Sequence, residues 1–166
     1  METLDKTFDF DCPASAAYNQ WTQFESFPQW MSSVKEVRQI DDTHQHWKVR
    51  IAGKEKEFDT LITEQVPDQV ISWRATFGVA NSGTARFEKA GENRSRVTLT
   101  MQYEPQTFVE KAADALGLVS TYVESAVQKM KKALEERGRE TGAWRGEVHG
   151  GQQTGAGGAT RTGRIQ

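Results

Sequence analysis

QTFVEKAADALGLVSTYVESAVQKMKKALEER, residues 106–137, decides how the rest of the chain must be arranged. Its apolar residues Val109, Ala112, Ala113, Leu116, Val119, Val123, Ala126, Val127, Met130, Ala133 and Leu134 recur at helical spacing. The stretch therefore predicts one long amphipathic helix from Gln106 to Arg137. At 1.5 Å per residue it would be roughly 48 Å long, more than simple packing in a chain this size requires. Lys129, Lys131 and Lys132 fall near its C-terminus, where cations favour the helix dipole. An apolar stripe of that length must be covered, and what precedes it is a run of strands. A curved sheet wrapped around one helix leaves a space between the layers, and function is expected there.

Upstream of the helix the hydrophobic period is two. Strands are predicted at 33–40, 44–52, 55–66, 69–77, 82–89 and 94–104. Turn signals separate them: Asp41-Asp42, Gly53-Lys54, Pro67-Asp68, Asn81-Ser82-Gly83 and Gly91-Glu92-Asn93. Links this short join antiparallel neighbours, so the strands form a meander. Alternation puts Trp47, Val49, Ile51, Ile71, Trp73, Ala75 and Phe77 on the inner face. Ala85, Phe87, Val97, Leu99, Met101 and Tyr103 join them. Lys48, Arg50, Arg74, Arg86 and Arg96 fall on the wet face.

The chain begins with another strand, Thr3–Asp11, in which Leu4, Phe8 and Phe10 alternate with aspartates. Pro13 then stands where a helix starts without losing a needed N–H. A short helix over 14–22 presents Ala17, Tyr18 and Trp21, and a second turn over 24–31 carries Phe27, Trp30 and Met31 around Pro28. The predicted order is β–α–α–β(6)–α: an α+β fold whose seven-stranded antiparallel sheet wraps a long C-terminal helix. Residues 1–138 make this domain. Residues 139–166, rich in glycine, read as a disordered tail in which Trp144 alone is large enough to dock.

Composition narrows the function classes. With 166 residues one domain and a proper core are expected. A net charge of −2 with interspersed signs gives no electrostatic reason to expect nucleic acid. The single cysteine, Cys12, excludes an internal disulfide framework and fits a small, partly buried apolar residue better than a nucleophile. His44 and His46 share a strand face without a third ligand nearby, so no metal is expected. No cofactor is called for, and no Ser–His–Asp, Cys–His or phosphate-cradling pattern occurs. No signal region or 18-residue apolar run is found, so no integral membrane segment is expected and the chain reads as soluble and cytoplasmic.

Asp11-Cys12-Pro13 followed by Tyr18, Trp21, Phe24, Phe27-Pro28 and Trp30 resembles the opening of the polyketide cyclase/dehydrase and lipid-transport superfamily. Val66-Pro67, Ile71-Ser72-Trp73-Arg74, Asn81-Ser82-Gly83-Thr84, Arg86-Phe87 and Tyr103-Glu104-Pro105 resemble its core signature. The resemblance spans about residues 1–137 and is nearest to the START-like, coenzyme-Q-binding-related (SRPBCC) branch. It implies the helix-grip fold of the pollen-allergen-like proteins, with a cavity for lipids, isoprenoids, polyketides or similar ligands. It does not imply one reaction.

Candidate ligand-binding residues are Trp73, Phe77, Phe87, Met101 and Tyr103 from the sheet and Val119, Tyr122 and Val123 from the helix, with Trp30 and Phe27 roofing one end. Each aromatic alone is explained by core packing. As a set, Tyr103, Tyr122 and Trp73 carry polar atoms into an apolar layer, which suits a small-molecule site. The leading reading is a non-catalytic module that sequesters or delivers a hydrophobic small molecule. The alternatives are a cyclase or dehydratase with Tyr103 or Tyr122 as acid/base, and a stress-related interaction protein whose protein partner the sequence does not name.

Overall fold

The computed structural model describes residues 2–51, 53–104 and 112–154, with side chains described except for 112–116 and 154. The first strand, β1 (Glu2–Phe10), leads into a helix, α1 (Ala14–Trp21), and a 3-10 turn (Phe24–Gln29). Six strands follow: β2 (Val34–Gln39), β3 (His44–Ile51), β4 (Lys54–Val66), β5 (Val70–Gly78), β6 (Asn81–Gly91) and β7 (Arg94–Tyr103). The long helix α2 covers Ala112–Arg137. Its predicted start, Gln106 to Lys111 with Val109, lies outside the described residues.

The predicted order holds because each local signal is used as read. Pro13 caps α1, its carbonyl accepting the N–H groups of Ala16 at 3.0 Å and Ala17 at 3.2 Å. Pro28 sits inside the 3-10 turn, keeping it short of a second full helix. Between β4 and β5, Pro67 precedes Asp68 at φ 65°, and Gln69 N–H donates to Val66 O at 3.0 Å. Proline followed by a positive φ is the signature of a type II turn.

The strands order as β1-β7-β6-β5-β4-β3-β2, every pair antiparallel. Register shifts in β2/β3, twice in β4/β5, and in β6/β7 are bulges, which bend and twist a sheet. The bent sheet closes over α2, whose Val119, Val123, Ala126, Val127, Met130 and Leu134 are buried in one cluster with the inner face. Lys6 Nζ on β1 reaches Glu124 Oε2 on α2 at 3.3 Å. Among the described residues no helix is long and apolar enough to cross a membrane.

One boundary differs from the sequence reading. The described part of the supposed tail, through Thr154, docks back on the domain. Strand β8 (Glu147–His149) pairs β4, and β9 (Gln152–Thr154) pairs β8. The 13-residue β4 makes this possible, since β3 uses only its Lys54–Leu61 half and leaves Glu64 and Gln65 to β8. Trp144 and Val148 are both 0% exposed. A Cβ on Gly146 would stand 2.5 Å from the Trp144 ring, so only glycine lets the chain fold over the indole. Residues 155–166 lie outside the described residues.

Candidate functional site

Sheet and helix do not meet everywhere. A cavity of about 150 Å³ separates them. Val49 on β3, Phe58 and Ile62 on β4, Ile71 on β5 and Leu99 on β7 form its floor. Val119, Tyr122, Val123, Ala126, Val127 and Met130 of α2 cross above. Aromatic side chains from α1 and the 3-10 turn, Trp21, Phe24, Phe27 and Trp30, close one side. A space of this volume accommodates a body like benzene.

The aromatic side is held by ring contacts rather than loosely filled. Phe27 meets Trp47 edge-on at 5.6 Å, and Trp47 stacks on Phe58 at 5.7 Å with planes 6° apart. Phe27 also meets Trp21 at 6.5 Å, and Trp21 meets Phe87 at 5.7 Å. Such pairs each add about 0.5–1.5 kcal/mol beyond area burial and fix ring orientation.

Trp73 is set by its cross-strand neighbour. It faces Gly83, where a Cβ would lie 2.5 Å from the indole and 2.7 Å from the Thr100 carbonyl oxygen. Glycine at 83 therefore lets the ring lie flat against the sheet. The indole N–H donates to Asn81 Oδ1 at 2.9 Å, and Asn81 Nδ2 donates to Val79 O at 2.9 Å. Trp30 Nε1 similarly donates to Ser26 Oγ at 3.2 Å.

The third indole starts a relay. Trp47 N–H, which can only donate, reaches Thr60 Oγ1 at 2.9 Å. Thr60 Oγ1 in turn donates its single O–H to Gln45 Oε1 at 2.8 Å. The carboxamide oxygen thereby accepts one hydrogen bond, which orients the group. Gln45 is 1% exposed and Thr60 2%, and both line the cavity. Gln45 Nε2 is the one fully buried polar atom of the lining without a hydrogen-bond partner among the described residues. A buried donor left so costs about 1–3 kcal/mol.

Of the sequence candidates, the structure brings Trp30, Trp73, Met101, Val119, Tyr122 and Val123 together around the cavity, with Phe27 beside Trp30. It does not bring Phe77, Phe87 or Tyr103 there. Phe77 is 65% exposed. Asp59 pairs Phe77 while Thr60 pairs Ala75, so Thr76 is a bulged residue and the alternation inverts after it. Phe87 is buried one layer away, between the rings of Tyr18 at 5.3 Å and Trp21. Tyr103 is 0% exposed at the end of β7 outside the lining, and burial, then the nearby Glu2 charge, push its phenol pKa up. Gln45, Thr60 and Trp47 were missing from the candidates. The signal was present, because Gln45 lies two residues before Trp47 and shares its inward face.

The remaining polar groups stand elsewhere. Arg74 is exposed on the outer face. His46 is clasped from β4 by Asp59 at Nδ1 and by Glu57 at Nε2, the latter at 2.8 Å. The hydrogen bond to Asp59 and then that to Glu57 raise its pKa above the ordinary imidazole value. Cys12 is half-buried against the core, and burial pushes its thiol up. No Asp, Glu, His, Lys, Arg or Cys is among the described residues lining the cavity.

The sequence model of the polyketide cyclase/dehydrase and lipid-transport family matches residues 11–135. An uncharacterized 17.2 kDa protein of Streptomyces lincolnensis is 41% identical over 149 residues, covering 89% of this chain and 99% of that one. A START superfamily protein from Mycobacterium smegmatis superposes with a TM-score of 0.70 at 14% identity, over 81% of this chain and 98% of that structure. The Zhui aromatase/cyclase from Streptomyces sp. R1128 superposes with a TM-score of 0.62 at 16% identity, over 83% and 96%. These two structural likenesses establish the helix-grip fold. Together with the match over most of the sequence, they place this chain in the polyketide cyclase/dehydrase and lipid-transport family.

Proposed function

We propose that this protein is a binding module that holds an apolar small molecule, or the ring end of a larger one, between its sheet and its long helix. The observation that carries the reading is a mostly apolar cavity of about 150 Å³ lined by residues of the buried cluster that sheet and helix share. An empty apolar space that size sacrifices contacts its walls would otherwise make. Filling it with a ligand restores them, and burial contributes about 25 cal/mol for each Å² of apolar ligand surface. The volume favours a single ring or a short branched chain over a whole sterol. A cyclase or dehydratase would need a proton donor or acceptor on the lining, and Tyr122 is the sole titratable side chain there among the described residues.

The test is extraction of the purified protein with organic solvent, followed by mass spectrometry, and a thermal-shift panel of quinones, fatty acids and sterols. A co-purified hydrophobic compound, or a concentration-dependent rise in Tm with one class, is the expected result. A protein that carries no compound and responds to none of the panel would overturn the proposal. Tyr122→Phe is expected to leave ligand uptake in place.

A further inference from the structure

We infer that Met31, Met101 and Met130 form adjustable walls, so that the cavity takes a ring carrying a flexible alkyl chain beyond its resting volume; this rests on the cavity being a ligand site. The chain has four methionines, and all three besides Met1 line this one space. They come from different elements: Met31 lies just past the 3-10 turn, Met101 on β7 and Met130 on α2. Much of the remaining lining is fixed. Phe24, Phe27, Trp47 and Phe58 brace one another ring against ring. Trp30 and Trp73 are held by their indole N–H groups on Ser26 and Asn81. Branched residues such as Val49, Ile71 and Val123 are restricted at χ1. Among the described lining residues the methionines alone are long, unbranched and apolar, each with three rotatable bonds and a polarisable sulfur that adapts to new neighbours. Met31 and Met101 are only partly buried, while Met130 is 3% exposed. Turning a thioether breaks no strong hydrogen bond. A slender alkyl chain therefore enters by displacing methionine ends, and each methylene it buries strengthens binding about fourfold. A rigid lining would instead end the gain once the resting space of about 150 Å³ is filled.

The alkylbenzenes from benzene to hexylbenzene, titrated by quenching of tryptophan fluorescence and by calorimetry, measure this reach. In the wild-type chain affinity should keep rising by about fourfold per methylene through hexylbenzene. A variant with Met31→Leu, Met101→Leu and Met130→Leu, close in volume but branched, should stop gaining by propylbenzene. The Met31→Leu, Met101→Leu double variant serves where the triple one prevents folding. Wild-type protein isotope-labelled at the methionine methyls and followed by nuclear magnetic resonance reads the walls without any substitution. The signals of at least two of the three methionines should move further with each longer homologue. An affinity that levels off by propylbenzene in the wild-type protein, with those signals unmoved between propylbenzene and hexylbenzene, would overturn the adjustable walls while leaving the cavity as a ligand site. A leucine variant that follows the wild type through hexylbenzene would equally overturn the role of the methionines. Failure of every homologue to bind would remove the ligand site itself, and the walls with it.

Discussion

Trp144→Ala is the substitution that best tests how far the domain extends. The indole is 0% exposed and belongs to the same buried cluster as Tyr18 and Trp21. Removing a fully buried tryptophan side chain costs about 3–5 kcal/mol. For a chain of this length each kcal/mol corresponds to about 2–4 °C, so Tm should fall by roughly 10 °C. The neighbouring polar contacts make the loss cooperative. Trp144 N–H donates to Thr22 Oγ1 at 3.1 Å, and Thr141 N–H donates to Gln20 Oε1 at 2.9 Å. Asn19 Nδ2 donates to Glu140 Oε1 at 2.9 Å, and Arg145 pairs with Asp68 at 2.9 Å. Gln20 is 0% exposed, so undocking the segment strips a buried amide of the partners that satisfy it. The assay is thermal and urea unfolding of three proteins: wild type, Trp144→Ala, and a chain ending at Gly138. If the segment is part of the cooperative unit, both altered proteins melt early in one transition. Melting of both within about 2 °C of wild type would refute the reasoning and mark the segment as a separately fraying piece.

Other outcomes follow from single contacts. Gly83→Ala should push the Trp73 ring off the sheet and lower stability by about 1–3 kcal/mol, read by Tm and by altered near-ultraviolet dichroism of the indoles. Thr60→Val deprives both Trp47 N–H and Gln45 Oε1 of a partner; a loss of about 1–3 kcal/mol in urea unfolding is expected, and an unchanged midpoint would mean the relay is dispensable. The pKa of His46 is raised by its carboxylate partners. Its stabilising contribution is therefore full below the ordinary imidazole value of about 6.5 and fades as pH rises through the higher folded value. Tm measured from about pH 6 to pH 9 should lose that increment, and His46→Gln should flatten this part of the profile.

The strands and the long helix were legible because their signals are local and repeat. The inner positions Val49, Ile51, Ile71, Leu99 and Val97 keep period two without interruption, and all are buried. Phe77 was misplaced by that same regularity, because nothing in Ala75-Thr76-Phe77 announces a bulge. The end of the chain was misread for a different reason. Three-residue strands such as Glu147–His149 are too short to show a period, and their stability comes from the free half of β4 rather than from their own composition. Alternation also assigns a face but no depth along it. Tyr103 and Met101 share the inner face of β7, yet only Met101 reaches the void, since the packing of α2 decides where the layers part. Gln45 was passed over because His44-Gln45-His46 looks like a solvated edge. Its burial depends on the 3-10 turn and α2 closing over β3.

The pairing of β1 with β7, which sets Glu2 opposite Tyr103 and Phe10 opposite Ser95, has a consequence for how the chain is made. During synthesis the first strand leaves the ribosome with its apolar Leu4, Phe8 and Phe10 and waits for a mate about ninety residues behind it. The meander can assemble by neighbouring hairpins in the meantime, but the barrel wall cannot close until β7 has emerged. Contacts this distant in sequence slow the search for the native state. The nascent β1 is therefore the stretch for which a chaperone that shields extended apolar segments would matter most.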